Sequence, residues 1–126
     1  MIVLDSDVLI EILDRKSKKG DHALKQTIKS GEMIATTCIS LHEVLYGLHK
    51  YAKPVQEILL LPILSYTKKD AVLASKIELE LEKRGKTACR TDAVIAAITI
   101  SNDAKLYTFN LKHFNCFESL GLKLFQ

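Results

Sequence analysis

The chain has little of what marks several common protein classes. It contains no tryptophan and three cysteines, an odd number without a C-x-x-C pair. A disulfide framework or a zinc site is therefore not expected. Each cysteine stands beside apolar residues, so we expect Cys38, Cys89 and Cys116 to act as small buried hydrophobes.

Long apolar runs are also missing. The longest, from Ile58 to Leu64, is interrupted by Pro62 and is far too short to span a bilayer. The first residues, MIVLDSDVLI, have no basic segment and meet an acid at once, so they do not match a signal peptide. We therefore expect a cytoplasmic protein that has no membrane-spanning segment.

What the chain does have is enough apolar sequence for a core. Hydrophobic residues make up 48% of its 126 residues, and charged residues make up 26%. These values predict one globular domain over residues 1–126. The formal net charge of +3 permits a polyanionic partner but does not demand one.

Apolar and amphipathic segments alternate along the first part of the chain. The opening IVL segment predicts a buried strand. Asp7 is expected to cap a helix that runs to about Arg15, and Asp21 is expected to begin a second helix that ends at Gly31. Residues 33–38 have strand character.

The alternation continues to the end of the chain. Ser40 is expected to begin a helix whose apolar residues recur every three or four positions and so lie on one face. Pro54 and Thr91 are expected to begin further helices, and Thr67 and Asp70 form a capping box for a long charged helix. Three more strands are expected, at residues 62–66, 106–109 and 122–125. The pattern predicts an α/β domain with a mainly parallel sheet of four to five strands between helical layers.

Four polar residues from distant segments are expected at one edge of this sheet. Asp5 follows the first strand, and Asn110 follows the strand around Thr108. Glu43 and Asp92 lie in the first turns of two helices. In open parallel sheets, functional sites form at the carboxyl edge, where the loops after the strands lie together.

Each of these residues also has a purely structural explanation. Asp5 could simply end a strand, Asp92 suits a helix N-terminus through the macrodipole, and Asn110 suits a turn. Glu43 would complete an S-x-x-E capping box with Ser40. The functional prediction therefore depends on the convergence of the set and not on any one member.

Clustered carboxylates point to a divalent cation. They repel one another and raise their own pKa values, and a cation removes that repulsion. Oxygen ligands without convincing His or Cys partners suit Mg²⁺ or Mn²⁺. Such a metal polarises a phosphoryl oxygen and lowers the pKa of a bound water, so phosphodiester hydrolysis is the natural chemistry.

Four blocks of sequence resemble those of a known family. They are IVLDSDVLIEIL, ISLHEVLYGL, TDAVIAA and LYTFNLKHF, in this order and over nearly the full length. They are similar to the blocks of PIN-domain toxins of the VapC type. The resemblance implies a three-layer α/β/α sandwich and a Mg²⁺- or Mn²⁺-dependent endoribonuclease that acts as a toxin. It also implies a homodimer and a cognate antitoxin that blocks the site.

The resemblance also assigns residue roles. The three principal acids of the family match Asp5, Glu43 and Asp92, which would hold the metal. Two supporting polar positions match Ser6 and Thr108.

The fourth block departs from the family pattern at two positions. Many members have Asp where this chain has Asn110, and an amide brings no charge. We therefore expect one metal ion instead of two, with Asn110 orienting a water in the catalytic site. His113 replaces a frequent acid and is expected to be a surface histidine.

Three basic residues lie near the predicted edge of the sheet. Lys86, Arg90 and Lys112 are expected either to contact RNA phosphates or to form a solvated charged face. In the first case, their removal should weaken RNA binding whatever its sequence and flatten its salt dependence.

Two other functions stay open at the level of sequence. Residues 5–9, DSDVL, almost fit the D-x-D-x-[TV] motif of haloacid-dehalogenase-type phosphatases, in which Asp5 would be the nucleophile. Leu9 breaks the fifth position of that motif, and Glu43 would have no role. The second alternative is a non-catalytic PIN-like module that binds RNA or a protein partner, which Asn110 keeps open.

Overall fold

Five parallel strands form the centre of the computed structural model, which describes residues 1–126. They follow the order β3-β2-β1-β4-β5. The strands are β1 (Ile2–Leu4), β2 (Ile34–Thr37), β3 (Ile63–Leu64), β4 (Lys105–Tyr107) and β5 (Lys123–Leu124). The predicted sheet of four to five mainly parallel strands is confirmed.

Seven α-helices flank the sheet. They are α1 (Ser6–Leu9), α2 (Lys18–Lys29), α3 (Cys38–Lys50), α4 (Gln56–Leu59), α5 (Lys68–Lys83), α6 (Arg90–Ser101) and α7 (Leu111–Phe114). A π-helical segment, Ile10–Asp14, continues α1, and a 3₁₀ segment, Asn115–Leu120, continues α7. None of the helices combines the length and the apolar content needed to cross a membrane.

The central strand β1 divides the core into two layers. Successive side chains of a strand point to opposite faces of the sheet. Val3 packs into a cluster with buried residues of α5, α6, α7 and the 3₁₀ segment. Ile2 and Leu4 pack into a second cluster with residues of α1, α2, α3 and α4. The result is the α/β/α sandwich expected from the sequence.

The strand order creates a switch point between β1 and β4. From β1 the chain moves outward through β2 and β3 on one side, and it later places β4 and β5 on the other side. In parallel sheets, the crevice at the carboxyl ends of the two strands that flank such a point is where sites form. Asp5 directly follows β1, and Thr108 directly follows β4.

Two helices begin directly where a strand ends, which is earlier than predicted. Asp5, not Asp7, is the N-cap of α1. Thr37, not Ser40, is the N-cap of α3, and its Oγ1 accepts a hydrogen bond from the backbone N–H of Ser40 at 3.0 Å. Asp5, directly after β1, and Thr37, the last residue of β2, both have the extended dihedral angles of an N-cap, so no loop is needed. The predicted capping box of Ser40 and Glu43 is therefore wrong.

Other boundaries also differ from the prediction. Ser17, not Asp21, caps α2, and Cys89, not Thr91, occupies the N-cap position of α6. Cys89 is exposed, contrary to the expectation of burial. The segment 111–120 forms α7 and the 3₁₀ turns, which the sequence did not predict. The capping box that begins α5 is confirmed.

Candidate active site

A cavity of about 430 Å³ lies at the switch point. Its lining includes all four polar residues that the sequence placed at this edge: Asp5, Glu43, Asp92 and Asn110. It also includes Asp7, which the sequence assigned to a helix cap. Four carboxylates and one amide from α1, α3, α6 and the loop after β4 therefore meet in one space.

Asp5 is the most firmly held of these side chains. It is only 5% exposed. Its Oδ1 accepts hydrogen bonds from the backbone N–H of Ser6 at 2.9 Å and from the Ser40 hydroxyl at 3.5 Å. Its Oδ2 accepts one from the Thr108 hydroxyl at 2.8 Å. Donors from α1, α3 and the loop after β4 therefore fix both oxygens of the central carboxylate.

Asp7 joins α1 to the loop after β4. Its Oδ2 accepts hydrogen bonds from the backbone N–H of Phe109 at 3.1 Å and from the Thr108 hydroxyl at 3.4 Å. Its Oδ1 is buried and has no hydrogen-bond partner. Asp7 thus makes a long-range contact at the site where the sequence predicted a local cap.

The other two carboxylates are more exposed. The Ser6 hydroxyl donates a hydrogen bond to Oε2 of Glu43 at 3.4 Å. Oδ2 of Asp92 lies 3.7 Å from Nδ1 of His113, a side chain that is 62% exposed. The two residues expected to support the site, Ser6 and Thr108, therefore both contact cavity carboxylates.

Burial raises the pKa of every carboxyl group in the cavity. The pKa of Asp5 rises to about 6, mainly through desolvation and further through the charges of Asp7 and Glu43. Desolvation is also the main reason why the pKa values of Asp7, Glu43 and Asp92 are raised. The charges of Asp92 and Asp7 add to the effect at Glu43. The folded chain therefore holds these carboxylates at an energetic cost.

The donor set fits a hard divalent cation. Carboxylate and amide oxygen atoms are prominent among the polar groups of the lining, and these are the ligands that such a cation prefers. A cation among like charges would lower their raised pKa values. No group of three or more His, Cys, Asp or Glu side chains is already closed around one point that would hold a metal ion. The carboxylates thus line one cavity, but they are not close enough together to form a complete set of metal ligands.

Sequence reasoning missed Ser40 and His42 as residues of the site. Ser40 is fully buried against Asp5, whereas the sequence made it a helix cap. His42 lines the cavity beside Glu43. Helix spacing was a usable signal, because Ser40 and Glu43 are three residues apart and share one face of α3.

Lys19 is a third residue near the site that the sequence did not predict. Close packing of the backbone at Gly20 brings it there. Gly20 lies so near the π segment that a Cβ there would stand 2.1 Å from the carbonyl oxygen of Glu11. This approach places Nζ of Lys19 4.1 Å from the centre of the Phe109 ring. The charge of Lys19 reaches Asp7 and partly offsets the rise of its pKa.

The three predicted RNA-contacting cations do not line the cavity. Nε of Arg90 donates a hydrogen bond to Oε1 of Glu78 at 3.1 Å. Lys86 and Lys112 are exposed. Their contact with RNA stays a prediction.

Comparison with known proteins agrees with the fold. The protein is an α/β/α domain with a parallel sheet and an acid-lined cavity at the switch point of that sheet. Within that class, the PIN domain family model matches residues 2–115, and the chain belongs to the PIN domain family. The comparison with curated protein sequences finds no match.

Solved structures of chains from VapBC complexes are similar to this chain. It is similar to a chain of VapBC2 from Rickettsia felis, bound to a DNA fragment from its promoter, with 27% identity, a TM-score of 0.79 and 100% coverage of both chains. It is similar in fold to a chain of VapBC-1 from nontypeable Haemophilus influenzae, with 20% identity and a TM-score of 0.80. The match covers 100% of this chain and 98% of that chain. It is also similar in fold to a chain of DNA-bound VapBC from Salmonella typhimurium, with 22% identity and a TM-score of 0.79. The match covers 98% of this chain and 96% of that chain.

Proposed function

We propose that the chain is a metal-dependent endoribonuclease and the toxin of a toxin–antitoxin pair. The observation that carries the proposal is the convergence of Asp5, Glu43 and Asp92 in one cavity, each with a raised pKa. Family membership supports a nuclease. The phosphatase alternative gives Glu43 no role, although Glu43 lines the same cavity as Asp5.

In this proposal, Asp5, Glu43 and Asp92 hold one Mg²⁺ or Mn²⁺ ion. When bound, the metal supplies charge stabilisation at the phosphate and lowers the pKa of water. Ser6, Ser40 and Thr108 orient the carboxylates through the hydrogen bonds described above.

The reaction is the hydrolysis of an RNA phosphodiester bond. Water attacks phosphorus in line with the leaving ribose oxygen, so one P–O bond forms and one breaks. A cavity carboxylate takes the proton of the attacking water, which Asn110 orients, and the leaving ribose oxygen takes up a proton from solvent to become a hydroxyl group. The position of Asn110 in the lining of the cavity supports this role.

Metal removal tests the proposal. We expect the purified chain to cleave a generic single-stranded RNA in Mn²⁺ or Mg²⁺, to lose all cleavage in EDTA, and to recover it when the metal is restored. Gel analysis of end-labelled RNA measures this. Undiminished cleavage in EDTA would exclude the metal, and RNA binding without cleavage in either metal would favour the non-catalytic module.

Two protein partners belong to the same proposal. The similar chains come from VapBC complexes, which supports a cognate antitoxin that binds this chain and blocks its cavity. Large apolar side chains are exposed on α3 and α5, which supports a homodimer; they include Tyr46, Val72 and Leu79. A cytoplasmic location stays a prediction from the sequence.

A further inference from the structure

One wall of the acid-lined cavity carries no charge. It comes from the beginnings of α3 and α6 and the end of α7, and its residues are Ile39, Cys89, Thr91, Ile95 and Phe114. Ile39 packs against the core cluster that contains Ile95 and Phe114. Thr91 and Ile95 are four residues apart and so share one face of α6. These five residues are called the uncharged wall below.

The chemistry proposed above does not use the uncharged wall. A divalent cation and a phosphate group interact with charged and polar side chains, which the carboxylates and Asn110 provide. An octahedral ion with six water-sized ligands occupies about 180 Å³, at about 30 Å³ for each ligand. The cavity of about 430 Å³ is more than twice that size. It therefore has room for a further part of the substrate.

Thr91 places a polar group on this wall that the fold does not use. Cys89 occupies the N-cap position of α6, so the helix does not need the Thr91 hydroxyl as a cap. Thr91 is exposed, lines the cavity and makes no side-chain hydrogen bond within the chain. A threonine hydroxyl can both donate and accept a hydrogen bond. The Thr91 hydroxyl is therefore available to a ligand in the cavity.

An apolar surface with one free hydroxyl fits a nucleobase. Phosphate is charged and ribose is polar, whereas a base has two apolar faces and a polar edge. Unstacked bases of single-stranded RNA are recognised by packing against side chains and by hydrogen bonds to their edges. Ile39 is half-buried and offers apolar surface, and Cys89 is exposed. Ile95 and Phe114 are almost fully buried and support the wall from the core.

We infer that the uncharged wall is a nucleobase subsite, which binds a base beside the cleaved phosphodiester and selects its identity through the Thr91 hydroxyl. This inference rests on the proposed function and adds a specificity-determining residue to it. Thr91 directly precedes Asp92, and both line the cavity, so the base belongs to a nucleotide next to the reacting phosphate. The acids perform the reaction, and the wall determines where in an RNA it occurs.

The test is the base preference of cleavage by the full chain. RNA of random sequence is cleaved in Mn²⁺, and sequencing of the product ends gives the base at each position around the cut. Four RNAs that differ only at the most selective position then give kcat/KM for each base. We expect the parent chain to prefer one base at a position that flanks the cut. Cleavage without any base preference would overturn the inference.

Thr91→Val removes the hydroxyl and keeps the shape of the side chain. We expect the ratio of kcat/KM between the preferred base and the others to fall about fivefold, the effect of one hydrogen bond. Thr91→Ser keeps the hydroxyl and should keep this ratio within about twofold of the parent. Thr87→Val is the matched control, because Thr87 is exposed and lies outside the cavity. An unchanged ratio in Thr91→Val, or an equal fall in Thr87→Val, would overturn the inference.

The remaining outcomes separate the inference from the proposed function. If the parent chain cleaves no RNA, the proposed function fails and the inference fails with it. If the parent cleaves RNA and Thr91→Val keeps its base preference, the inference alone fails. A change only in the discrimination between RNA and DNA would assign the hydroxyl to the ribose and would also overturn the inference. If Thr91→Val does not fold, Thr91→Ala removes the same hydroxyl with a residue that favours helices, and the same fall is expected.

Discussion

Asp5→Asn is expected to abolish RNA cleavage while the chain stays folded. Asp5 is the central carboxylate of the cavity, and three donors fix its two oxygens. Asn has nearly the same shape but removes the charge that would hold the cation. Loss of a residue that only orients a metal ligand costs about 10- to 100-fold. Loss of a ligand charge should therefore lower kcat/KM by at least about 100-fold.

The measurement is the rate of RNA cleavage at saturating Mn²⁺, with circular dichroism to show that the variant is folded. Asp103→Asn is the matched control, because it makes the same change at an exposed site. Its rate should equal that of the parent chain. Parental activity in Asp5→Asn would contradict the assignment of this residue.

The same substitution is expected to stabilise the metal-free chain at neutral pH. Folding raises the pKa of Asp5 from 3.8 to about 6, so the folded chain binds the proton more tightly than the unfolded chain. The ionised carboxylate therefore lowers the stability of the fold as the pH rises through this interval. The shift corresponds to a cost of about 3 kcal/mol above pH 6.

Urea denaturation in EDTA measures this effect. At pH 7.5, Asp5→Asn should be more stable than the parent by up to about 3 kcal/mol, less what Asn gives up as an acceptor of hydrogen bonds. At pH 4.5, the folded parent is mostly protonated at Asp5, and the cost falls to about 1 kcal/mol. A variant that is less stable than the parent at pH 7.5, or a difference independent of pH, would contradict the account.

Together, these two results would show that the Asp5 carboxylate lowers the stability of the fold and is needed for activity. A carboxylate that lowers stability and is essential for activity is held by the fold for chemistry and not for packing. The burial of Asp5 and its raised pKa already indicate the cost in stability.

The location of the candidate site could be predicted from the sequence better than the hydrogen bonds within it. Asp5 and Asn110 were predictable because a buried strand that ends on a polar residue marks the carboxyl edge of a parallel sheet. Glu43 and Asp92 followed from helices that begin at the same edge. Alternation of strands and helices was enough to predict the sandwich.

Contacts between distant segments could not be read from local patterns. Asp7 and Ser40 both match helix-cap signals, yet Asp7 contacts Phe109 and Ser40 contacts Asp5. In both cases a residue at the end of the preceding strand takes the cap position: Asp5 directly follows β1, and Thr37 is the last residue of β2. The later candidate is then free to contact the site. Only the register of β1 against β4 brings Thr108 to Asp5.

The most direct test of the central claim is anomalous diffraction at the manganese edge, from crystals of the full chain grown with Mn²⁺. The account predicts one anomalous peak in the cavity, within coordination distance of oxygen atoms of Asp5 and of Glu43 or Asp92. Crystals without a peak in this cavity at saturating Mn²⁺, or with the peak at another surface, would contradict it.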